Sequence, residues 1–272
     1  MSINNSDFEY IKKLVKNKSG VSLTDDKHYL VESRLLSIAK EIKVNNVSNL
    51  IAHLRKDSFN NLHWQVVEAM MTTETMFFRD KLPFDCLKLS ILPELIEKRK
   101  IERSLNIWSA ACSTGQEPYS IAILAYENFP QLQTWNFSII ASDISHQNLK
   151  RASNGYYNIH QINRGLSNSI HQKYFKKQGQ EWQIIKLIRK KVKFIHLNLL
   201  ENWYCIPKMD IIFLRNVLIY FDVEQKQEIF TKIKQVLRND GYLFLGGGET
   251  TINIDNDFQP VKLNNTICYQ LK

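Results

Sequence analysis

The residues best placed for chemistry stand in two places. One is the turn SAACSTGQEP at 109–118, where small residues and one glycine separate an apolar run from a helical pattern. The other is Asp143, which closes the run FSIIASD 28 positions beyond Gly115. An acid at a strand end, that far past a glycine turn, can accept both hydroxyls of a ribose; an ordinary strand-end cap has the same pattern. Gly115 lets backbone approach a ligand closely. Pro118 suits a first helical turn, where its missing N–H costs nothing. Glu117 stands at the same helix start, where it would cap the helix and repel a phosphate.

The turn is not a GxGxxG fingerprint, so it does not read as a pyrophosphate site. A cofactor with a positive or zwitterionic end fits it better. S-adenosylmethionine carries a sulfonium, an ammonium, a carboxylate and a ribose diol, and no phosphate. The seven histidines form no HxH or HExxH pattern, which argues against a dedicated metal site. The four cysteines, Cys86, Cys112, Cys205 and Cys268, form no CxxC pair and read as reduced, mostly buried thiols of a cytoplasmic protein.

Two kinds of element must position these residues. Over residues 8–70 apolar side chains recur at helical spacing: Phe8, Ile11, Leu14 and Val15, then Leu35, Ile38, Ala39 and Ile42, then Leu62, Val66, Ala69 and Met70. The spacing predicts a helical domain over 1–72, followed by a bridging segment at 73–100 with a helix at about 80–99. From Ile107 strands alternate with helices. MDIIFLRN reads as a strand buried on both faces of a parallel sheet, residues 223–237 as an amphipathic helix, and Asn264-Asn265 as the turn of a closing hairpin. This predicts an α/β sheet with an antiparallel edge over 101–272. Residues 155–196 interrupt the rhythm and read as an inserted subdomain, with short strands at 182–185 and 192–196. No run approaches eighteen apolar residues, so no membrane span is expected, and the N-terminus carries no signal-peptide pattern.

The net charge of +9 is concentrated. Residues 173–200 hold eight basic residues and one acidic, a net of +7. Such a field attracts an anionic partner, an acidic protein or a nucleic acid; a plain solvated face has the same composition.

Five colinear segments carry a resemblance to the chemotaxis receptor methyltransferases of the CheR type. They are MTTETMFFRD at 71–80, AACSTGQEPYSIAI at 110–123, IIASDIS at 139–145, LRNVLIYFD at 214–222 and DGYLFLGGGE at 240–249; FIHLNLL at 194–200 resembles a weaker one. The resemblance spans most of the chain. It implies a doubly wound, Rossmann-like class I S-adenosylmethionine-dependent methyltransferase sheet, with a small all-α N-terminal domain and an inserted small β-subdomain. It implies methyl transfer to glutamate carboxylates on the cytoplasmic helices of chemoreceptors. Carried over position by position, Arg79 would meet the cofactor carboxylate, and Thr75 and Glu117 its amino-acid end. Asp143 would hold the ribose, and Asn198 and Asn216 would border the adenosine. Tyr220 would face the methyl group and the incoming carboxylate, so that Arg79 and Tyr220 are the candidates for orienting the substrate. Thr73, Ala111, Gly115, Leu199 and Arg215 lie in the same matched segments and are carried with them as cofactor-binding positions.

The resemblance also places the inserted subdomain near the receptor, so the basic stretch 173–193 would meet an acidic methylation region. Neutralising Lys190, Lys191 and Lys193 is then expected to weaken receptor methylation and spare cofactor affinity. The short connection KKQGQEWQ has one glycine, which tilts the reading toward a member that needs no receptor tether peptide. Three positions depart from the family: Thr73 for asparagine, Leu214 for cysteine, and Gly246-Gly247-Gly248-Glu249 for Gly-His-Ser-Glu. The last loses two hydrogen-bonding side chains. Two alternatives stay open: a non-catalytic cofactor-binding scaffold, and a nucleic-acid methyltransferase stacking bases on Tyr174, Phe175 and Trp182. Against the second, the chain has no DPPY- or NPPY-like segment.

Overall fold

Helix signals in the first third are realised with their caps. In the computed structural model, which describes residues 3–272, helices run over Asn5–Ser19 (α1), His28–Glu41 (α2), Val47–Lys56 (α3) and Asn61–Met70 (α4). Asn4 and Asn46 accept from the backbone N–H of Asp7 and Asn49, and Asn60 forms a capping box with His63. Gly20 closes α1 in the left-handed conformation, at φ 77°. Phe8, Ile11, Val15, Val31, Leu35, Leu50 and Val66 form the fully buried centre. The chain divides into two compact units, and the helical one comprises Met1–Thr72 with Tyr220–Gln225.

The larger unit comprises Thr73–Ile219 and Lys226–Lys272. It therefore takes in residues 73–100, which are no separate bridge: Phe77, Phe84, Leu87, Ile91, Leu92 and Leu95 all join its main core. The helix expected there runs as Leu82–Cys86 (α5), a π-helical stretch Leu87–Ile91, and Leu92–Lys98 (α6). Pro93 stands at the start of α6 and has no N–H to donate, so the widened turn falls where a regular hydrogen bond is missing.

Strands and helices then alternate: β1 (Ser104–Ala110), α7 (Gln116–Asn128), β2 (Asn136–Asp143) and α8 (His146–Asn154). The insertion follows, with β3 (Tyr156–Tyr157), α9 (Ile159–Asn163), α10 (Asn168–Tyr174), β4 (Phe175–Gln178), β5 (Glu181–Ile184) and α11 (Lys186–Arg189). β6 (Val192–His196), β7 (Met209–Leu214), α12 (Val223–Val236), β8 (Leu237–Leu245), β9 (Phe258–Leu263) and β10 (Thr266–Leu271) complete the chain. The large sheet has the order β6-β2-β1-β7-β8-β10-β9. Its first five strands are parallel, and β10 and β9 add an antiparallel edge. Every residue of β7 is buried, as a strand covered on both faces must be. Asn264 and Asn265 both have positive φ, 45° and 61°, the geometry of a tight hairpin turn.

One expectation is corrected. Residues 192–196 belong to the large sheet, where β6 pairs in parallel with β2, and not to the insertion. The small sheet holds only β3, β5 and β4. The side chains of β6 alternate weakly because it is an edge strand, so the sequence pattern matched a small subdomain equally well.

Candidate functional site

Four parallel strands, β6, β2, β1 and β7, stand side by side. The segments leaving their carboxyl ends carry Asn198 and Leu199, Asp143, the turn 111–117, and Arg215 with Asn216. That end of a doubly wound sheet is where such folds bind ligands. Backbone strain concentrates there. Ala111 and Ser113 have φ of 54° and 50°, Asn216 of 58°, and Phe78, Asp80 and Lys81 of 49°, 66° and 44°. Each left-handed non-glycine residue costs on the order of 1 kcal/mol or more and persists only where its surroundings hold it.

Those surroundings can be traced. The Ser113 N–H donates to Asp143 Oδ2 at 2.7 Å, and its hydroxyl to the Thr73 carbonyl at 2.9 Å. Asp143 Oδ1 also accepts from the Ser145 N–H at 2.9 Å. Asp143 thus fastens the glycine turn to the end of β2, the capping role, while its strand-end position is the one expected of a ribose acceptor. The Phe78 N–H donates to Ser120 Oγ on α7 at 2.9 Å, which fixes the segment carrying Arg79. Arg79 donates to the Glu74 carbonyl at 3.0 Å and takes part in no ion pair among the described residues. Glu74 pairs with Arg164, whose guanidinium holds its carboxyl below the usual range.

Glu117 and Arg215 form the charged centre. Glu117 accepts from Ser109 Oγ at 2.8 Å and from the Arg215 guanidinium at 2.9 Å. The same guanidinium reaches Asp80 at 2.6 Å and the Arg79 carbonyl at 3.0 Å. Its side chain is only 1% exposed. Arg215 therefore ties the 77–81 loop to the start of α7, and its fork geometry suits three acceptors as a lysine would not. Burial, with Asp143 and Glu117 nearby, pushes the Cys112 thiol well up, so this cysteine is a neutral packing residue and no nucleophile.

Gly115 is tightly packed by protein on its bare side. With φ at 92°, an added Cβ would lie 2.9 Å from the Ala152 Cβ and 3.2 Å from the Tyr157 hydroxyl. The glycine lets the turn pack on α8 and the insertion.

Thr73, Thr75, Arg79, Ala111, Gly115, Glu117, Asp143, Asn198, Leu199, Arg215 and Asn216 all belong to the larger unit, where hydrogen bonds join Thr73 to Asp143 through Ser113, and Glu117 to the Arg79 carbonyl through Arg215. Tyr220 it does not include. That residue packs on the helical core, and its carbonyl accepts from the Ser22 N–H at 3.2 Å. Two residues support these segments through partners that no sequence spacing reveals. Lys232 on α12 donates to the Leu199 and Leu200 carbonyls at 3.2 and 2.8 Å. Glu249 collects backbone N–H groups of residues 216–218. Both act across more than thirty residues of sequence, where no spacing signal exists.

The strand order, the glycine turn and the acidic strand end define a class I methyltransferase-type sheet. Residues 73–267 match the family model described as CheR methyltransferase, SAM binding domain, and residues 6–71 that described as CheR methyltransferase, all-alpha domain. Similar curated proteins include Chemotaxis protein methyltransferase Cher2 of Pseudomonas putida, 38% identical, and Chemotaxis protein methyltransferase 1 of Pseudomonas aeruginosa, 39% identical, each aligned over 100% of both chains. Chemotaxis protein methyltransferase of Vibrio parahaemolyticus is 35% identical, over 100% of this chain and 99% of its own. The chain belongs to the CheR methyltransferase family.

Proposed function

We propose that the protein transfers the methyl group of S-adenosylmethionine to glutamate side-chain carboxylates of chemoreceptors, forming methyl esters. The observation that carries this reading is the set of hydrogen bonds that joins the glycine turn to Asp143, and Glu117 through Arg215 to the 77–81 loop, at one end of one sheet. A helix start occupied by Glu117 disfavours a phosphate and accepts an ammonium. Bound there, the cofactor supplies an electrophilic methyl carbon on a positively charged sulfur.

The chain has little proton chemistry to perform. A glutamate carboxylate, with a reference pKa of about 4.3, is already ionised near neutral pH. Its oxygen forms the new bond to carbon as the carbon–sulfur bond breaks, so no general base is required. The chain's task is alignment and exclusion of water, worth up to roughly 7–11 kcal/mol. In this reading Arg79 takes the cofactor carboxylate, with Thr73, Thr75 and Glu117 around the amino-acid end. The backbone at Ala111 and Gly115 lines the turn, Asp143 takes the ribose, and Asn198, Leu199 and Asn216 border the adenosine. Arg215 serves by holding Glu117 and the 77–81 loop. Tyr220 is proposed for the incoming carboxylate on the family resemblance alone.

We assign the receptor-facing charge to the insertion and to the edge strand β6 that follows it. Lys176, Lys177, Lys186, Lys190 and Lys193 are exposed and take part in no ion pair among the described residues. Lys173 instead pairs with Glu127, and Lys191 is half-buried beside Tyr126 and Phe129. The nucleic-acid alternative loses its stacking platform. Tyr174 and Phe175 are 1% and 3% exposed, and Trp182 lies edge-on to His171 at 4.2 Å.

Calorimetric titration tests the cofactor assignment. S-adenosylhomocysteine should bind and NAD should not, and Arg79→Ala should weaken binding at least about tenfold, or roughly 1.4 kcal/mol. Equal binding by wild type and variant would remove Arg79 from the site.

A further inference from the structure

Glu249 follows three consecutive glycines at the end of β8 and makes no ion pair among the described residues. Its carboxylate is nonetheless fully engaged. Oε1 accepts from the N–H of Val217 and Leu218 at 2.8 and 2.7 Å. Oε2 accepts from the N–H of Asn216 and Gly246 at 2.8 and 2.6 Å. A carboxylate offers about four lone-pair sites, and four backbone donors fill them. Such a converging set of N–H groups stabilises negative charge without a cation.

Three of the four donors belong to the segment that leaves β7, and its first member, Asn216, is held in the left-handed region. The seat is also built from the other side. A Cβ on Gly246 would fall 2.7 Å from Glu249 Oε2, 2.7 Å from Asn216 Nδ2 and 2.8 Å from the Asn216 nitrogen. Gly246 is therefore bare because the carboxylate and the Asn216 side chain lie against it. Gly247 and Gly248 face open space, so the glycine run is tight at one position only.

We propose that Glu249 is a positioning residue for the cofactor site: its carboxylate holds residues 216–218, and through them it sets the strained conformation that presents Asn216. This rests on the reading of that strand end as a cofactor site. Glutamine cannot replace it. One amide oxygen offers two acceptor sites, and the amide NH2 would point a donor at two N–H donors. Unpaired N–H groups then favour release of the loop.

The test is S-adenosylhomocysteine affinity by calorimetry for wild type, Glu249→Gln, Glu249→Asp and the control Gly247→Ala, with melting curves and amide hydrogen exchange of segment 214–219. Glu249→Gln should bind at least about tenfold more weakly, while its melting temperature stays within about 3 °C of wild type. Exchange should quicken in that segment, Glu249→Asp should fall between, and Gly247→Ala should match wild type. Affinity of Glu249→Gln within about threefold of wild type overturns the proposal. So does a melting temperature lowered by more than about 5 °C in both Glu249 variants, which would make the residue a general stabiliser. A wild type that fails to bind the probe removes the cofactor reading itself, and the proposal with it, an outcome separate from either.

Discussion

Glycines 115 and 246 are constrained by their neighbours, and glycines 247 and 248 are not, although the four look alike in sequence. Gly115→Ala must place a Cβ 2.9 Å from the Ala152 Cβ at a φ of 92°. It is expected to cost about 2–3 kcal/mol of stability, read from urea unfolding. Gly247→His and Gly248→Ser place side chains in open space and should change stability by no more than about 0.5 kcal/mol. Residue types that act near themselves in sequence were legible: Glu117 and Asp143 announced themselves by a turn, a proline and a strand end. Glu249 did not, because its partners at 216–218 are reached only when β7 and β8 pair. Arg215 was legible as part of a motif, but its burial between Glu117 and Asp80 was not.

At the scale of elements, the insertion separates into a packed side and a charged side. Tyr157, Tyr174, Phe175, Ile184 and Ile188 enter the main core. Lys176 and Lys177 project from β4, an edge strand, where lysine also discourages pairing with other chains. The variant Lys177→Gln/Lys190→Gln/Lys193→Gln removes three exposed charges and spares the half-buried Lys191. It should slow methylation of receptor membranes several-fold at low ionic strength and leave S-adenosylhomocysteine affinity unchanged. The difference from wild type should shrink as salt shortens the screening length to about 8 Å near 0.15 M. Equal rates at low salt would place the receptor elsewhere. The sequence located this basic stretch but misplaced the strand after it: VKFIH has the length and weak alternation of any short edge strand, and only its pairing with β2 settles its sheet.

Across the whole molecule, the larger unit anchors the opposite end of its sheet with charge. Arg99, from the end of α6, reaches the fully buried Asp210 at 2.9 Å and pairs bidentately with Asp240 at 2.6 and 3.0 Å. The Arg99 guanidinium holds the Asp240 carboxyl below the usual carboxylate range. A depressed folded pKa contributes stability that is complete above the unfolded value of about 3.9 and is lost as pH falls through the folded value. Stability should therefore decline below about pH 4, and Asp240→Asn should flatten that decline in urea titrations between about pH 4 and pH 2. An unchanged slope would mean that the pair contributes nothing. The alternation of strands and helices was legible because each element carries its own period. The gathering of Tyr220–Gln225 with the helical unit was not, since six residues of a short turn and helix start carry no period.

Carboxyl methyl transfer leaves a base-labile ester, which can be counted directly. Membranes from the host lacking this gene are incubated with methyl-labelled S-adenosylmethionine and the purified protein, and base-labile methyl on protein is counted. Base-labile label is expected on receptor-sized bands, reduced at least about a hundredfold, or roughly 2.7 kcal/mol, by Arg79→Ala. Cofactor binding without base-labile label on any membrane protein would contradict carboxyl methyl transfer.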